Sequence, residues 1–262
     1  MDGEPGLTPR PAAVVLVAAA VAGCAAPRTA LPAGARVLAR GSLAYAVAFT
    51  GDALATVELE ERFALVVRDP DSGRERRRVD LGPPERDLPA LAVAGDRAWV
   101  GGDDRVVRTI DLGRGEVVAS WPVGADVTAL AWARGGWLAV GDAAGGLCLR
   151  RVADAALIHC LAVAGPVTDL VARGDRLWVR AGGRDLTLAV PALAVVAEPA
   201  PPRRWRGADL TIDGREVRVD GRPLLRLAER VRAVAVGPRG ELAIAAWVRR
   251  LDDPAVVLIP GP

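Results

Sequence analysis

The chain has no lysine, no asparagine and no glutamine, so all 34 of its basic residues are arginine. With arginine as the only strong base, an arginine cluster carries less functional weight here than in an ordinary sequence. Without asparagine there is no N-glycosylation sequon. A single histidine, His159, excludes Ser/His/Asp relays with a spare histidine, zinc sites built on several histidines, and histidine proton shuttles. No phosphate-binding loop or dinucleotide fingerprint follows a strand and opens a helix. The paired carboxylates Asp103 and Asp104, Glu60 and Glu61, and Asp252 and Asp253 are sequence neighbours. On a strand they would point to opposite faces and could not act together. A net charge of +2 exerts no global pull toward nucleic acid. What is present is apolar: 51% of 262 residues are hydrophobic, enough for one sizeable core and too many for a disordered chain.

Near the N-terminus, Ala12 to Ala22 reads AAVVLVAAAVA, followed by Gly23 and Cys24. The run is too short to span a bilayer, which takes about 20 residues, but it has the length of a secretory h-region. The competing reading is a buried Ala/Val helix. Val21-Ala22-Gly23-Cys24 resembles a bacterial lipobox. That resemblance implies a signal peptide over 1–23, cleavage before Cys24, lipidation of its thiol and export. Ala25 in place of Asp implies the outer membrane if the host is Gram-negative. Residues 24–36, with two prolines and no aromatic, read as a flexible tether.

Past the tether the chain repeats. Segments beginning at Leu43, Leu88, Val127, Val167 and Ala208 each read as an alternating strand, a glycine-centred turn and a second alternating strand, the pattern of a β-hairpin. The turn glycines are Gly51, Gly95, Gly135, Gly174 and Gly214, at steps of 44, 40, 39 and 40 residues. A sixth copy from Val231 turns around 238–240, about 25 residues further on. Four steps of this size match the roughly 40–45 residues of a propeller blade. Val106 to Val118 (VVRTIDLGRGEVV) adds a strand, Asp111, Gly115 and another strand. This resembles the third-to-fourth-strand turn of WD40 and related repeats, although no Trp-Asp or Gly-His pair occurs in the chain.

The fold expected over 37–262 is therefore all-β: a single propeller of about six blades of mostly four antiparallel strands, with five or seven as alternatives. The repeat from Arg203 to Arg230 is short by one strand. The last repeat offers only three, and the segment from Ala35 to Arg40 is placed to supply its fourth.

Candidate sites follow from that frame. Trp99 and Trp178, each four residues after its turn glycine, read as packing between blades or as stacking surfaces for a ligand. Loops after second strands carry Asp103, Asp104, Asp142, Arg184 and Asp185. Arg204, Trp205 and Arg206 precede what reads as a first strand, on the face around the central channel. These form the candidate interaction face, alongside the alternative that they serve turn geometry or solvation. The run Arg74 to Arg78 reads as contacting lipid headgroups or as a solvated outer edge. Cys148 and Cys160, equidistant from Asp154, read as a disulfide in an oxidising compartment or as two buried thiols. No catalytic set, metal or cofactor is expected.

The functional expectation is a lipid-anchored protein-binding scaffold in the cell envelope, with unidentified envelope proteins as partners. The alternatives are a small-ligand or enzymatic propeller with a polar channel, and a degenerate propeller with a purely structural role.

Overall fold

The computed structural model describes residues 31–40, 42–197, 204–205, 208–227, 229–247 and 254–261. The first strand, β1 (Arg36–Arg40), finds its partner only at the end of the chain. Blade 1 comprises β2 (Leu43–Thr50), β3 (Ala53–Leu59), β4 (Phe63–Arg68) and β5 (Glu75–Gly82). Blade 2 is β6 (Ala90–Ala94), β7 (Arg97–Gly101), β8 (Val106–Asp111) and β9 (Glu116–Pro122). Blade 3 is β10 (Val127–Ala133), β11 (Trp137–Asp142), β12 (Gly146–Arg151) and β13 (Leu157–Ala162). Blade 4 is β14 (Val167–Arg173), β15 (Arg176–Ala181), β16 (Arg184–Ala189) and the two-residue β17 (Ala194–Val195). Blade 5 is β18 (Arg204–Trp205), β19 (Ala208–Asp213), β20 (Glu216–Val219) and β21 (Arg222–Arg226). Blade 6 is β22 (Val231–Val236), β23 (Leu242–Ala246) and β24 (Pro254–Ile259), completed by β1 on its outer edge. The result is a six-bladed β-propeller, and β1 closes the ring as its sequence position suggested.

The turns form as their residues dictate. Asp111 accepts the Arg114 amide at 2.9 Å, and the Gly115 amide returns to the Asp111 carbonyl at 2.8 Å. Gly115 sits at φ +75°, where any side chain is strained.

Blade 5 departs from the sequence reading in one respect. Its hairpin around Gly214 aligns by pattern with the first-to-second-strand hairpins, yet the structure makes it the second and third strands. Backbone bonds fix this phase. Val127 donates to the Gly102 carbonyl in the second-to-third loop of blade 2, and Val231 donates in the same way to Gly214, both at 2.9 Å. The missing strand is the short β18, so Arg204 and Trp205 belong to the first strand itself and not to a loop before it.

Hydrophobic clusters join neighbouring blades: Phe63 and Leu65 with Val100 across blades 1 and 2, Trp99 with Val127 and Leu138 across 2 and 3, and Leu149 with Leu177 across 3 and 4. Val217 packs with Ile244 across blades 5 and 6, and Leu54 with Val256 across 6 and 1. Among the described residues no cluster joins blade 4 to blade 5. Antiparallel connectivity then sorts the loops. Connections into first strands and second-to-third loops share one face, the mouth. First-to-second and third-to-fourth turns share the other, the turn face.

Candidate functional site

At the mouth, aromatic and charged side chains of blades 6, 1 and 2 meet. Tyr45, the one tyrosine, lies on the innermost strand β2 and is 8% exposed. It meets Phe63 edge-on at 5.1 Å between centroids and Trp247 at 5.5 Å. From β22, Arg232 places its guanidinium 4.2 Å from the Trp247 ring centroid and 5.9 Å from that of Tyr45. Such cation–π contacts hold a cation against an apolar wall without neutralising it.

Across from this group, two loops of blade 2 lock together. The Asp103 amide donates to the Asp87 carbonyl at 3.0 Å, and the Asp87 amide donates to Asp103 Oδ1 at 2.9 Å. Gly102 permits the approach, because a Cβ there would run into the Asp87 carbonyl. The outcome is unusual at one atom: Asp87 Oδ1 is buried and has no hydrogen-bond partner among the described residues. Leaving a buried acceptor unpaired costs about 1–3 kcal/mol. Burial pushes the Asp87 carboxyl above the usual carboxylate range; Arg232 opposes the shift and Asp103 adds to it. The Tyr45 hydroxyl is likewise pushed up, by burial first and then by Asp87.

The sign of the Asp87 effect is testable. Its folded value lies above its unfolded one, so the native state holds the proton to higher pH and stability falls as pH climbs through that window. Asp87→Asn removes the charge whose desolvation is costly and leaves a neutral amide in its place. The variant is expected to be more stable than the parent at pH 7 by about 1 kcal/mol, the low end because the residue keeps part of its solvent. The advantage should shrink once the pH drops below the ordinary carboxylate range. Thermal melts at both pH values check this, and an equal or lower midpoint at pH 7 contradicts it.

No protein-family model and no curated protein matches the sequence. Solved structures do match the fold. The structure of U3-55K aligns with a TM-score of 0.70 at 12% identity, covering 88% of this chain and 99% of that one. The crystal structure of RRP9 WD40 repeats gives 0.70 at 12%, over 89% and 99%. The computationally designed Ika4 protein gives 0.51 at 19%, over 59% and 96%. This chain has the fold of the WD40-repeat propellers.

Within this WD40-type ring, the residues singled out by sequence disperse. Asp103 belongs to the mouth cluster. Asp104 beside it is a clamp, bonded to Arg108 and, at 2.9 Å, to Arg86. Asp142 caps its own loop, accepting the Ala144 amide at 2.9 Å and the Gly146 amide at 2.7 Å. Arg184 opens β16 on blade 4, exposed at the mouth, and Asp185 beside it pairs with Arg180 at 2.8 Å. Arg204 and Trp205 sit in β18, and Arg206 lies outside the described residues, as do Val21, Ala22, Gly23 and Cys24. Two of the four arginines in the run from Arg74 are neutralised, Arg76 by Asp52 and Asp69, and Arg78 by Glu60 and Glu75. Trp99 is core, 1% exposed. Tyr45, Asp87, Arg232 and Trp247 carry no local motif; the lone tyrosine was the one compositional hint.

Cys148 and Cys160 stand opposite each other on β12 and β13 and are joined in a disulfide. It closes a loop of sequence separation 12, which the chain-entropy model values at about 3 kcal/mol. Replacing both cysteines by serine is expected to lower unfolding stability by up to that amount in denaturant titration. A loss below about 0.5 kcal/mol would mean that the hairpin is already restrained in the unfolded chain.

Proposed function

We propose that the protein is a lipid-anchored scaffold of the bacterial cell envelope that docks protein partners at the propeller mouth, binding rather than catalysing. The supporting observation is where the ends of the ring lie. β1 runs antiparallel to β24 and enters the propeller on the turn face. There Arg36 and Arg239 both reach Asp71, in the third-to-fourth turn of blade 1, Arg239 at 3.1 Å. Arg36 follows Cys24 by only 12 positions, a reach of at most about 40 Å when fully extended. An acylated Cys24 would therefore attach the ring from its turn-face side and leave the mouth free to point away from the bilayer. Stiff rings of this class bind through loops gathered at one end, which is where the partly buried charged and aromatic groups of this chain converge.

Membrane fractionation of the wild type beside Cys24→Ser, with the mass of the mature N-terminus, tests the anchor. The expectation is a membrane-bound wild type beginning at an acylated Cys24 and a variant that loses both properties. A soluble, unmodified wild type overturns it.

A further inference from the structure

We propose that the Cys148–Cys160 bond is a thiol–disulfide exchange site, opened in the folded protein by a dithiol partner that attacks Cys160. Its place in the sheet is the first observation. Blade 3 runs β10, β11, β12, β13, so Cys160 lies on the outermost strand and Cys148 on the strand inside it. β13 has no strand on its far side among the described residues. Cys160 is exposed and Cys148 half-buried. A thiolate attacks a disulfide in line with the sulfur–sulfur bond, from the side away from the sulfur that leaves. For Cys160 that line comes in from the open edge of the sheet. For Cys148 it comes from β11, where the buried Val140 stands opposite Cys148 in the ladder. The two sulfurs are therefore unequal, and Cys160 Sγ is the one that an incoming thiol meets.

The second observation is what the bond holds. β12 is anchored without it, because Leu147 and Leu149 are fully buried in the cluster shared with blade 4. On β13 only Leu161 packs against that cluster, while Leu157, Ile158 and His159 are exposed. The strand also lacks the charges that keep extended chains off an open edge, such as Glu75, Arg76, Arg77 and Arg78 on β5. An extended segment bearing the attacking thiol therefore finds unpaired backbone groups and uncovered apolar side chains beside Cys160. In the first step the partner thiolate bonds to Cys160 Sγ, the Cys148–Cys160 bond breaks, and its electron pair leaves on Cys148 Sγ. The partner's second thiol then attacks the mixed disulfide and releases Cys160. Two electrons pass to the cystine, the two protons given up by the dithiol end on Cys148 and Cys160, and the partner is left as a disulfide. Opening frees β13 from its one covalent tie and leaves the core of blade 3 in place. The bond stabilises the fold, so the fold favours the bond, and the latch closes again when the oxidised partner is in excess.

The test uses the full-length protein in detergent, any free Cys24 thiol first blocked with iodoacetamide, and reduced glutathione as the probe. After a brief exposure the mixture is alkylated with N-ethylmaleimide, and tryptic peptides are mapped by mass spectrometry; Arg150 and Arg151 let the two cysteines be read separately. The expected product carries glutathione on Cys160 and maleimide on Cys148, about tenfold over the reverse arrangement. Its rate of formation should be flat up to about 1 M urea, whereas opening through global unfolding would rise about fivefold or more over that range. Dithiothreitol in place of glutathione should give both thiols with the circular dichroism of the sheet unchanged. A bond that opens only as the protein unfolds, glutathione on Cys148 as often as on Cys160, or a reduced protein that has lost its fold would each overturn the proposal. Neither lipid nor a docked partner enters these measurements, so their outcome is separate from that of the anchor and of the mouth.

Discussion

Replacing Arg68 by methionine is expected to cost the protein about 3–5 kcal/mol of unfolding free energy, the penalty for orphaning one member of a buried ion pair. Arg68 is 6% exposed and its partner Glu58 1%. Both guanidinium nitrogens reach the carboxylate, Nη2 at 3.1 Å from Oε2. Thr56 adds bonds to both partners, and the Ser42 hydroxyl lies 3.4 Å from Glu58 Oε2. The network is saturated, so removing the cation strands a carboxylate that water cannot reach. The pair is not thereby a source of net stability: Glu58→Leu combined with Arg68→Met is expected to recover most of the loss, since both charges then avoid desolvation. Denaturant titration of the single and double variants as a mutant cycle checks this. A single-variant loss under 1 kcal/mol, or a double variant as unstable as the single, would show that blade 1 lets water into this network.

Trp99→Ala is expected to cost a further 3–5 kcal/mol, and Trp178→Ala distinctly less. Trp99 fills the wedge between blades 2 and 3, packed against Ala90, Ala92, Val107, Val127, Leu130, Leu138 and Val140. Two of these neighbours are alanines and the rest lie on hydrogen-bonded strands, so the cavity cannot collapse. Its indole N–H has no acceptor among the described residues, so the ring is there for its volume. Trp178 occupies the same repeat position, opposite Val171 and Thr187 as Trp99 is opposite Ala92 and Thr109. It belongs to none of the core clusters, because no cluster joins blade 4 to blade 5 among the described residues. Equal losses for the two variants would contradict that difference.

These two tryptophans show how far the sequence could be read. The offset from the turn glycine placed both on second strands, because alternation and a glycine at positive φ are local properties. Which of them is sealed depends on the next blade, and blade 5 begins with a two-residue strand too short to leave any periodicity. The same shortness shifted the phase of the hairpin around Gly214, since an isolated alternating hairpin looks alike whether it is first-to-second or second-to-third. Ring closure by β1 was legible because a three-strand last repeat and an unassigned N-terminal strand demand each other. The mouth was not. Tyr45, Asp87, Arg232 and Trp247 come from three blades and are spread over 202 positions of the chain, and none is spaced with another in any local pattern. The Glu58–Arg68 pair was hidden for a related reason: a charge on an alternating strand reads as solvent-facing until the neighbouring blade covers it.

The central claim, that the mouth and not the turn face meets the partner, is tested most directly by site-specific photo-crosslinking in intact cells. A photoreactive residue is placed at exposed Glu85 on the mouth or at exposed Arg134 on the turn face of an otherwise wild-type chain. The account expects a discrete protein adduct from position 85 and none from position 134. Adducts from position 134 alone, from both alike, or from neither would contradict it.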